Sequence, residues 1–416
     1  MKVAIVTIGT RGDVQPYLAL AKRLQAAGHD VVIGAPDNFA SWIQGQSIRF
    51  HPLGMDIEAM IQSPEARRVL DGNYLGVVKL VRSMKPVMLS MLDQVWEAAR
   101  DADVIVYHPK AGAAVDVAEV TGAGLVCASP IPMFATGDFP FLMAKVNLGR
   151  TLNRLTYFPY TFARLLFINR WRRENLKLPK PKRLYPLGGF AGGMAARICM
   201  ASPAVFPRPS DWDDGLHMVG FWFLDEDPDW QPNAELRAFL DAGEPPVYIG
   251  FGSMTPKNPE AATREIVEGV RQAGVRALLA MGWGGLAKMD LPETVHMIHS
   301  KPHHALFPLM SAVVHHGGAG STAAGLRAGR PTLVCPLTVD QPFWAHHVWK
   351  LGCGPKPQPM NRLRAESFAE GLRELTQTES YRRRAREIAE AMAREDGVAR
   401  AIEVIERAGE LKRSRP

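Results

Sequence analysis

Residues 312–345 combine a strand, a glycine-rich turn, a helix and a second strand in one short stretch. The apolar residues 312–314 predict the end of a buried strand, and His315 and His316 stand at its tip. The glycines at 317, 318 and 320 permit a tight turn before a helix predicted to begin at Ser321. A helix N-terminus leaves backbone N–H groups unpaired and carries about half a positive charge, so this turn is predicted to hold a phosphate.

The second strand, predicted over residues 332–335, leads to Asp340 and Gln341. A phosphate site with these two side chains beside it suits an activated sugar, with the diphosphate at the helix and the sugar hydroxyls on the carboxylate and carboxamide. Residues 318–323 also fit the G-x-G-x-x-A dinucleotide fingerprint, and Asp340 lies at about the spacing of its ribose-binding acid. An NAD-dependent enzyme and a purely structural turn are therefore alternatives, although His316 directly before the glycines favours a nucleotide sugar.

Length and composition set the class of protein. At 416 residues the chain suits two domains of about 200 residues each, and its 47% hydrophobic and 22% charged content is that of a globular protein. We expect no transmembrane helix, because no apolar run approaches ~18 residues, and the N-terminal segment reads as a first strand and not as a signal peptide. These features predict a cytoplasmic protein, and the scattered cysteines fit a reducing compartment without any metal-type spacing.

Predicted strands and helices alternate from the first residues onward. A strand over residues 3–8, a helix over 14–27 and a strand over 31–35 form a βαβ unit, which is typical of a parallel sheet with helices on both faces. The alternation restarts with a strand over residues 247–251, after an acidic, proline-bounded linker, and a charged helix is predicted over 380–407. The pattern predicts an α/β protein with two doubly wound domains whose strand ends face a central cleft.

The turn between the first strand and the first helix places Asp13 at the predicted cleft. A carboxylate there is positioned to act as general base for an acceptor hydroxyl, and a helix N-cap is the structural alternative. Gly12 would let a donor sugar approach the backbone closely. Three pairs of adjacent histidines offer at most one side chain per strand face, so we expect no metal site.

Basic residues concentrate in one segment of a chain whose net charge is +7. Residues 145–183 contain eleven Lys and Arg residues and a single acid, Glu174, with aromatic residues between them. This combination is typical of contact with an anionic surface, which Arg170, Arg172 and Arg173 would then face. We do not expect nucleic acid as the partner. Peripheral contact with an anionic membrane stays open beside a solvated helix whose aromatic side chains face the core.

Three motifs together resemble a known family. HHGGAGSTAAGLRAGRP with DQPFWA, GTRGDVQP near the N-terminus and GFGSM at residues 250–254 resemble the UDP-glycosyltransferase superfamily, in the branch of sterol glucosyltransferases and bacterial antibiotic glycosyltransferases. The resemblance covers nearly the whole chain and implies the GT-B fold, in which two Rossmann-like domains face a central cleft. The implied divisions are an acceptor-binding domain at 1–222, a linker at 223–235, a nucleotide-sugar-binding domain at 236–390 and a helix at 391–416 that crosses back to the first domain.

Carried over by position, the resemblance implies that Asp13 is the acceptor base and that Thr322 binds the donor through its backbone. The implied donor-binding residues are Gly12, Ser253, His316, Gly318, Gly320, Ser321, Thr322, Asp340 and Gln341. The implied reaction is inverting transfer of a hexose, glucose by preference, from a UDP-sugar co-substrate, without a cofactor or an essential metal. A dTDP-sugar is the second donor, because Ala324 and either Ser300 or Lys301 stand where plant members carry a ribose-binding Glu and a uracil-stacking Trp.

The implied acceptor pocket is formed by the variable loops around residues 55–95 and 130–190. Its candidate lining residues are Met84, Met88, Phe134, Phe139 and Phe141. Adaptable methionine and aromatic walls predict an apolar acceptor, such as a sterol, a polyketide or another lipophilic natural product. A rhamnolipid-type hydroxy-acid lipid is the alternative acceptor, and a catalytically silent nucleotide-sugar-binding protein is the alternative without chemistry. A lipophilic acceptor is consistent with a location at the inner membrane face.

Overall fold

A computed structural model describes most of the chain and divides it into two compact units. The described residues are 1–62, 74–144, 146–161, 168–179, 196–225, 227, 229–252, 258–280, 291–299 and 302–413. Unit 1 comprises Met1–Ala201, Arg208–Leu224 and Asp396–Pro416, and unit 2 comprises Ser202–Pro207 and Asp225–Glu395.

Unit 1 is built on a seven-stranded parallel sheet. Its strands are β1 (Lys2–Val6), β2 (Asp30–Ala35), β3 (Arg49–Pro52), β4 (Val104–Tyr107), β5 (Gly124–Ser129), β6 (Ala196–Cys199) and β7 (Leu216–Met218), in the order β3-β2-β1-β4-β5-β6-β7. Its helices are α1 (Arg11–Ala26), α2 (Ala40–Gly45), α3 (Ile57–Gln62), α4 (Tyr74–Ala99), α5 (Ala114–Thr121), α6 (Asn169–Glu174) and, from the C-terminal part of the chain, the helix Gly397–Arg413. A 3-10 helix spans Asn153–Thr161.

The central strands of unit 1 are apolar at nearly every position because helices cover both faces of the sheet. All four residues of β4 are buried, and so are four of the five residues of β1. Adjacent strands pair in parallel, with Val3 of β1 opposite Val31 of β2 and Val104 of β4. The carboxyl ends of β1 and β4 therefore lie side by side, which places the segments that follow them close together.

Unit 2 is built on a five-stranded parallel sheet. Its strands are β8 (Val247–Gly250), β9 (Ala277–Ala280), β10 (Val295–Ile298), β11 (Ala312–His315) and β12 (Thr332–Val334), in the order β10-β9-β8-β11-β12. Its helices are α7 (Ala234–Asp241), α8 (Pro259–Ala273), α9 (His303–Leu306), α10 (Ala319–Arg327), α11 (Gln341–Lys350), α12 (Ala365–Gln377) and α13 (Glu379–Ala393), so the helix Gly397–Arg413 of unit 1 is α14. Residues from β8, β11, α8 and α12 form a shared apolar core.

Helix α14 belongs to unit 1 although it follows unit 2 in the chain. It packs against β5 and α1, and the contact is so close that a Cβ on Gly124 would overlap the carbonyl oxygen of Ala408. At its first residue, the indole Nε1 of Trp222 donates a hydrogen bond to the carbonyl of Gly397 at 3.0 Å. The helix therefore completes the cover of the first sheet.

The predicted α/β fold with two doubly wound parallel sheets is confirmed. Two details differ from the sequence-based expectations. Helix α1 begins at Arg11, three residues before the predicted start, because Thr10 is its N-cap. The helix predicted over residues 380–407 is two helices, α13 and α14, and Asp396 opens the second by accepting a hydrogen bond from the Ala399 N–H at 2.9 Å.

Candidate active site

The glycine turn of unit 2, residues 316–320, joins β11 to α10. Gly317 has a φ of +90°, and a Cβ at this position would lie 2.6 Å from Cγ1 of Val334 and 3.0 Å from the carbonyl oxygen of Gln341. Both the backbone conformation and the lack of space therefore require glycine. Gly318 is the N-cap of α10 and supplies no capping side chain. The helix thus begins without a side-chain acceptor for its first N–H groups.

The start of α10 changes the predicted role of one residue. Because the helix begins at Ala319 and not at Ser321, the Thr322 N–H already donates to the carbonyl of Gly318 at 3.0 Å. The expectation that Thr322 binds the donor through its backbone is corrected accordingly. The N–H groups that precede the first helical hydrogen bond belong to Ala319, Gly320 and Ser321. The Thr322 hydroxyl is buried and has no hydrogen-bond partner among the described residues.

His315 and His316 point in different directions, as adjacent strand residues do. His315 is buried, and its Nδ1 accepts a hydrogen bond from the Gly317 N–H at 2.8 Å, so it shapes the turn. His316 is half-buried beside the turn, and a Cβ on Gly318 would come within 2.6 Å of its Nε2. Burial lowers the pKa of His316 to about 4. The imidazole is therefore neutral at physiological pH and can bind an anion as a hydrogen-bond donor without adding charge.

Asp340 and Gln341 lie where β12 leads into α11. The carboxylate of Asp340 accepts a hydrogen bond from the Trp344 indole at 2.9 Å, one helical turn later. The side-chain oxygen of Gln341 accepts hydrogen bonds from the N–H groups of Leu337 and Thr338 at 2.7 and 3.1 Å. This oxygen fixes the loop, so only the amide nitrogen of Gln341 remains to donate to a ligand.

In unit 1, Asp13 is the third residue of α1 and not its N-cap. Its Oδ2 accepts hydrogen bonds from the Thr10 N–H at 2.9 Å and from the Thr10 hydroxyl at 3.4 Å, which is one half of a capping box. Gly9 has a φ of +145°, and a Cβ there would overlap Oδ2 of Asp13. Only glycine at this position leaves room for the Asp13 carboxylate in its observed orientation.

The other oxygen of Asp13 meets two side chains from the segment after β4. Oδ1 lies 2.9 Å from Nζ of Lys110 and 3.2 Å from Nε2 of His108, although the second contact is not aligned as a hydrogen bond. Nδ1 of His108 accepts from the Lys110 N–H at 3.0 Å, so the ring proton is on Nε2, which faces Asp13. We call these three residues and Thr10 the Asp13 cluster. Sequence reasoning missed His108 and Lys110; the polar Tyr-His-Pro-Lys segment at the end of an apolar strand was the available signal.

The charges around Asp13 decide its protonation state. Burial raises the pKa of a carboxyl group, but the Lys110 ammonium and the His108 ring outweigh it and hold the pKa of Asp13 well below its ordinary value. Burial also keeps the pKa of His108 below its ordinary value, with Asp13 acting in the opposite direction. Asp13 is therefore ionised and His108 neutral near pH 7.

The remaining predicted site residues are distributed as follows. Gly12 lies in the first turn of α1, where a Cβ would meet only the Thr10 hydroxyl at 4.0 Å. Ser253 lies outside the described residues, and so does the side chain of Met84, whose backbone is part of α4. Met88 is half-buried in the same helix, and Phe139 is half-buried in a loop. Their roles stay predictions.

Phe134 and Phe141 are both buried in the segment between β5 and β6, here called the insertion. Phe134 is buried and packs edge-on against Trp212 with ring centroids 6.2 Å apart. Phe141 packs against Tyr157, which is fully buried, at 5.5 Å. Phe141 therefore belongs to a small apolar core within the insertion, whereas Phe134 packs against a residue that follows β6. Their contact with an acceptor remains a prediction.

The basic segment differs from its expected arrangement at Arg172. Its guanidinium is 2% exposed and lies 2.7 Å from Asp116 and 2.6 Å from Glu119, so it joins α6 to α5 and does not face an anionic surface. A charge that looks solvated in the sequence is buried because two acids on a neighbouring helix compensate it. Trp171 is also buried and donates to Asp93 at 2.6 Å. Arg170 is exposed and paired with Glu174.

No described helix is both long enough and apolar enough to cross a bilayer. No three His, Cys, Asp or Glu side chains of the described residues come close enough together to hold a metal ion.

Two domain families match separate parts of the chain. Residues 3–137 match the Glycosyltransferase family 28 N-terminal domain, and residues 284–410 match the Erythromycin biosynthesis protein CIII-like C-terminal domain. The first match covers β1 and the Asp13 cluster, and the second covers the glycine turn and α11.

Whole-chain relatives agree with these domains. The chain is 34% identical to sterol 3-beta-glucosyltransferase UGT80B1 of Arabidopsis thaliana, over 98% of this chain and 68% of that protein. It is also 34% identical to sterol 3-beta-glucosyltransferase UGT80A2 of the same plant, over 97% of this chain and 64% of that protein. The sterol 3-beta-glucosyltransferase of Emericella nidulans is 34% identical over 98% of this chain, which spans only 30% of that protein.

Solved structures share the fold over their whole length. The glycotransferase of kitacinnamycin superposes with a TM-score of 0.71 at 19% identity, covering 98% of both chains. Glycosyltransferase VinC in complex with dTDP superposes with a TM-score of 0.67 at 18% identity, covering 99% of this chain and 100% of that one. At these identities the likeness establishes the GT-B fold.

A GT-B fold with an uncapped helix after a glycine turn defines the class of this protein, which is a glycosyltransferase. The chain belongs to the UDP-glycosyltransferase superfamily, in the branch that includes sterol 3-beta-glucosyltransferases and antibiotic glycosyltransferases. This membership excludes the NAD-dependent alternative that the glycine pattern left open.

Proposed function

We propose that this protein transfers glucose from UDP-glucose to a hydroxyl group of a lipophilic acceptor of the sterol or polyketide type. The sterol 3-beta-glucosyltransferases to which it is similar support both the sugar and the acceptor class. A dTDP-sugar is the second donor, because VinC, which shares the fold, was solved with dTDP. The transfer inverts the anomeric centre and needs no metal ion.

The observation that carries the proposal is the first turn of α10. Three consecutive N–H groups there lack a side-chain cap, the helix dipole adds partial positive charge, and Gly318 leaves room for His316 beside them. A diphosphate fits this set of donors, and the negative charge that develops on it as the sugar departs is stabilised by the same groups. Neutral His316 donates one further hydrogen bond. Asp340 and the amide nitrogen of Gln341 contact the sugar hydroxyls.

Asp13 is the proposed base. The acceptor oxygen forms a bond to C1 of the sugar, the bond from C1 to the diphosphate oxygen breaks, and the acceptor's proton passes to Asp13. The low pKa of Asp13 makes it a weak base, so proton transfer occurs late, when the acceptor oxygen has gained positive charge. Once Asp13 has taken the proton, the Lys110 ammonium group faces a neutral carboxylic acid and no longer a carboxylate. His108, whose Nε2 lies 3.2 Å from the carboxylate, helps to keep Asp13 ionised before the transfer.

Donor preference and stereochemistry are tested on the purified full chain. The thermal midpoint is measured with UDP, dTDP, UDP-glucose, dTDP-glucose and NAD, and we expect the largest rise with UDP or UDP-glucose. Transfer to cholesterol is then followed by chromatography, with the product's anomeric configuration read by NMR in the presence and absence of EDTA. A β-glucoside formed equally well with EDTA supports the proposal. No transfer from either nucleotide sugar to any sterol or polyketide would overturn it.

A further inference from the structure

Large apolar side chains are exposed together in the insertion after β5. Six of them, between 45% and 61% exposed, fall within sixteen consecutive residues; they are Met143, Val146, Leu148, Leu152, Leu155 and Phe158. Leu152 immediately precedes the 3-10 helix Asn153–Thr161, which contains Leu155 and Phe158. A 3-10 helix has three residues per turn, so side chains three apart stand above one another. Leu152, Leu155 and Phe158 therefore form a row, here called the apolar stripe.

The opposite side of this helix is anchored, so the stripe is held in place. Tyr157 is fully buried against Phe141. Asn153 is buried as well and donates from its amide to the carbonyl of Gly137 at 3.0 Å. The Phe141 N–H donates to the Thr156 hydroxyl at 2.7 Å. The apolar stripe is thus exposed on a packed element, where an apolar surface of this kind marks an interaction site.

Positive charge accompanies the stripe. Residues 145–161 contain Lys145, Arg150 and Arg154 and no acidic residue. Arg150 lies 3.2 Å from Asp138 and Arg154 lies 2.9 Å from Asp211, but the arginine side chains are 71% and 56% exposed against 33% and 24% for their acids. In each ion pair the guanidinium group is therefore more accessible than the carboxylate, and we call these two exposed arginine groups the rim of the stripe.

We propose that the apolar stripe is a membrane-docking element that inserts into the headgroup region of an anionic bilayer. A short amphipathic helix with leucine and phenylalanine on one side and arginine beside them is suited to lie in the plane of that interface. The rim complements anionic lipid phosphates, to which arginine donates hydrogen bonds. Arg172 is buried and Arg170 is paired with Glu174, so residues 145–183 offer a membrane less positive charge than their composition suggests. Insertion of the apolar side chains therefore contributes a larger share of the binding free energy. Docking depends on these side chains and not on the transfer reaction.

Vesicle sedimentation with the full chain tests this assignment. Phosphatidylcholine vesicles with and without about one third phosphatidylserine are compared at 0.1 M salt. We expect wild type to bind the mixed vesicles, and the triple variant Leu152→Ser, Leu155→Ser, Phe158→Ser to partition roughly 10–100-fold less. Raising the salt to about 0.5 M weakens wild-type binding without abolishing it, because only the rim is screened.

A matched triple variant controls for loss of any exposed apolar surface. Val120→Ser, Leu309→Ser and Trp349→Ser alter three side chains that are 38–43% exposed and lie outside the insertion. We expect its vesicle binding to stay within about twofold of wild type. Thermal midpoints of both variants near that of wild type show that they fold. Equal binding by wild type and the stripe variant, or no wild-type binding to either vesicle, overturns the proposal. So does a wild-type dimer that the stripe variant converts to monomer, since a second copy would then cover the stripe.

Discussion

The glycine turn of unit 2 is held by backbone geometry, whereas the Asp13 cluster of unit 1 is held by charged side chains. Around the turn, Gly317 and Gly318 leave room, a helix supplies N–H groups, and His316 is neutral. Around Asp13, an ammonium group and an imidazole fix a carboxylate whose pKa they lower. The first arrangement is suited to negative charge without a group that titrates near neutral pH. The second depends on protonation.

This difference separates the two halves of the proposed reaction. Donor binding at the turn should depend on shape and should change little with pH. Proton transfer at Asp13 should depend on a balance of charges that a single substitution can shift. Four predictions test the separation; three substitute one residue, the fourth varies the pH of wild type, and each measures donor affinity, turnover or both.

The largest effect is expected for Asp13→Asn. The amide keeps the shape of the side chain and loses the ability to accept a proton, so turnover should fall by roughly 10²–10⁴. UDP affinity, measured by calorimetry, should stay near that of wild type because Asp13 is not part of the glycine turn. A variant that keeps most of its turnover would return Asp13 to a purely structural role in the capping box.

The second effect is expected at His316. His316→Ala removes a hydrogen bond to the diphosphate and should weaken UDP binding by about 1–3 kcal/mol. His315→Asn is the matched control, because its amide oxygen can replace Nδ1 as the acceptor for the Gly317 N–H. Calorimetry on both variants should show a loss only for the first. Equal losses would contradict the assignment of His316 to the donor.

A smaller effect, on the pH dependence of turnover, is expected for Lys110→Met. Removing the ammonium raises the pKa of Asp13, because the charge that favours its ionised form is lost while burial still disfavours it. The acid limb of turnover against pH should therefore move to higher pH, with turnover at pH 8 changed by less than about tenfold. Lys110→Arg should restore the wild-type profile. An unshifted profile in Lys110→Met would show that Lys110 does not control Asp13.

The smallest change is expected when the pH is varied and the donor affinity of wild type is measured. His316 has a pKa of about 4, so it stays neutral from pH 6 to 8. UDP-glucose does not change charge in this range, and its affinity should vary by less than about twofold. Calorimetry at three pH values measures this. Affinity that rises steeply below pH 7 would mean that a protonated histidine binds the diphosphate.

The sequence predicts the turn better than it predicts the Asp13 cluster, and the reason is the distance in sequence between the partners. His316, Gly317 and Gly318 are neighbours in the chain, so their pattern alone indicates a helix start beside a strand end. Lys110 meets Asp13 across 97 positions, and only the parallel pairing of β1 with β4 brings them together. The strand predicted to end in the apolar residues 312–314 falls within β11 because it is a short, locally bounded apolar run.

Arg172 shows the same limit for surface charge. Eleven basic residues in one segment indicate a positive surface, but the sequence does not reveal that Asp116 and Glu119 of α5 enclose one of them. Burial of a charge depends on a partner from another element, and periodicity within the segment carries no information about that partner. The exposed apolar stripe was missed for a related reason, because leucine and phenylalanine in an insertion look like core until the packing is known.

Helix α14 affects how the protein is made. The chain between Leu224 and Asp396, roughly 170 residues that form most of unit 2, is synthesised before α14. At about 5–20 residues per second, the first sheet therefore waits on the order of ten seconds or more for the helix that covers β5. Unit 2 needs no later segment and can fold during this interval. During synthesis the unit begun first is thus completed last, and the surface that α14 covers is exposed to chaperones or to other nascent chains in the meantime.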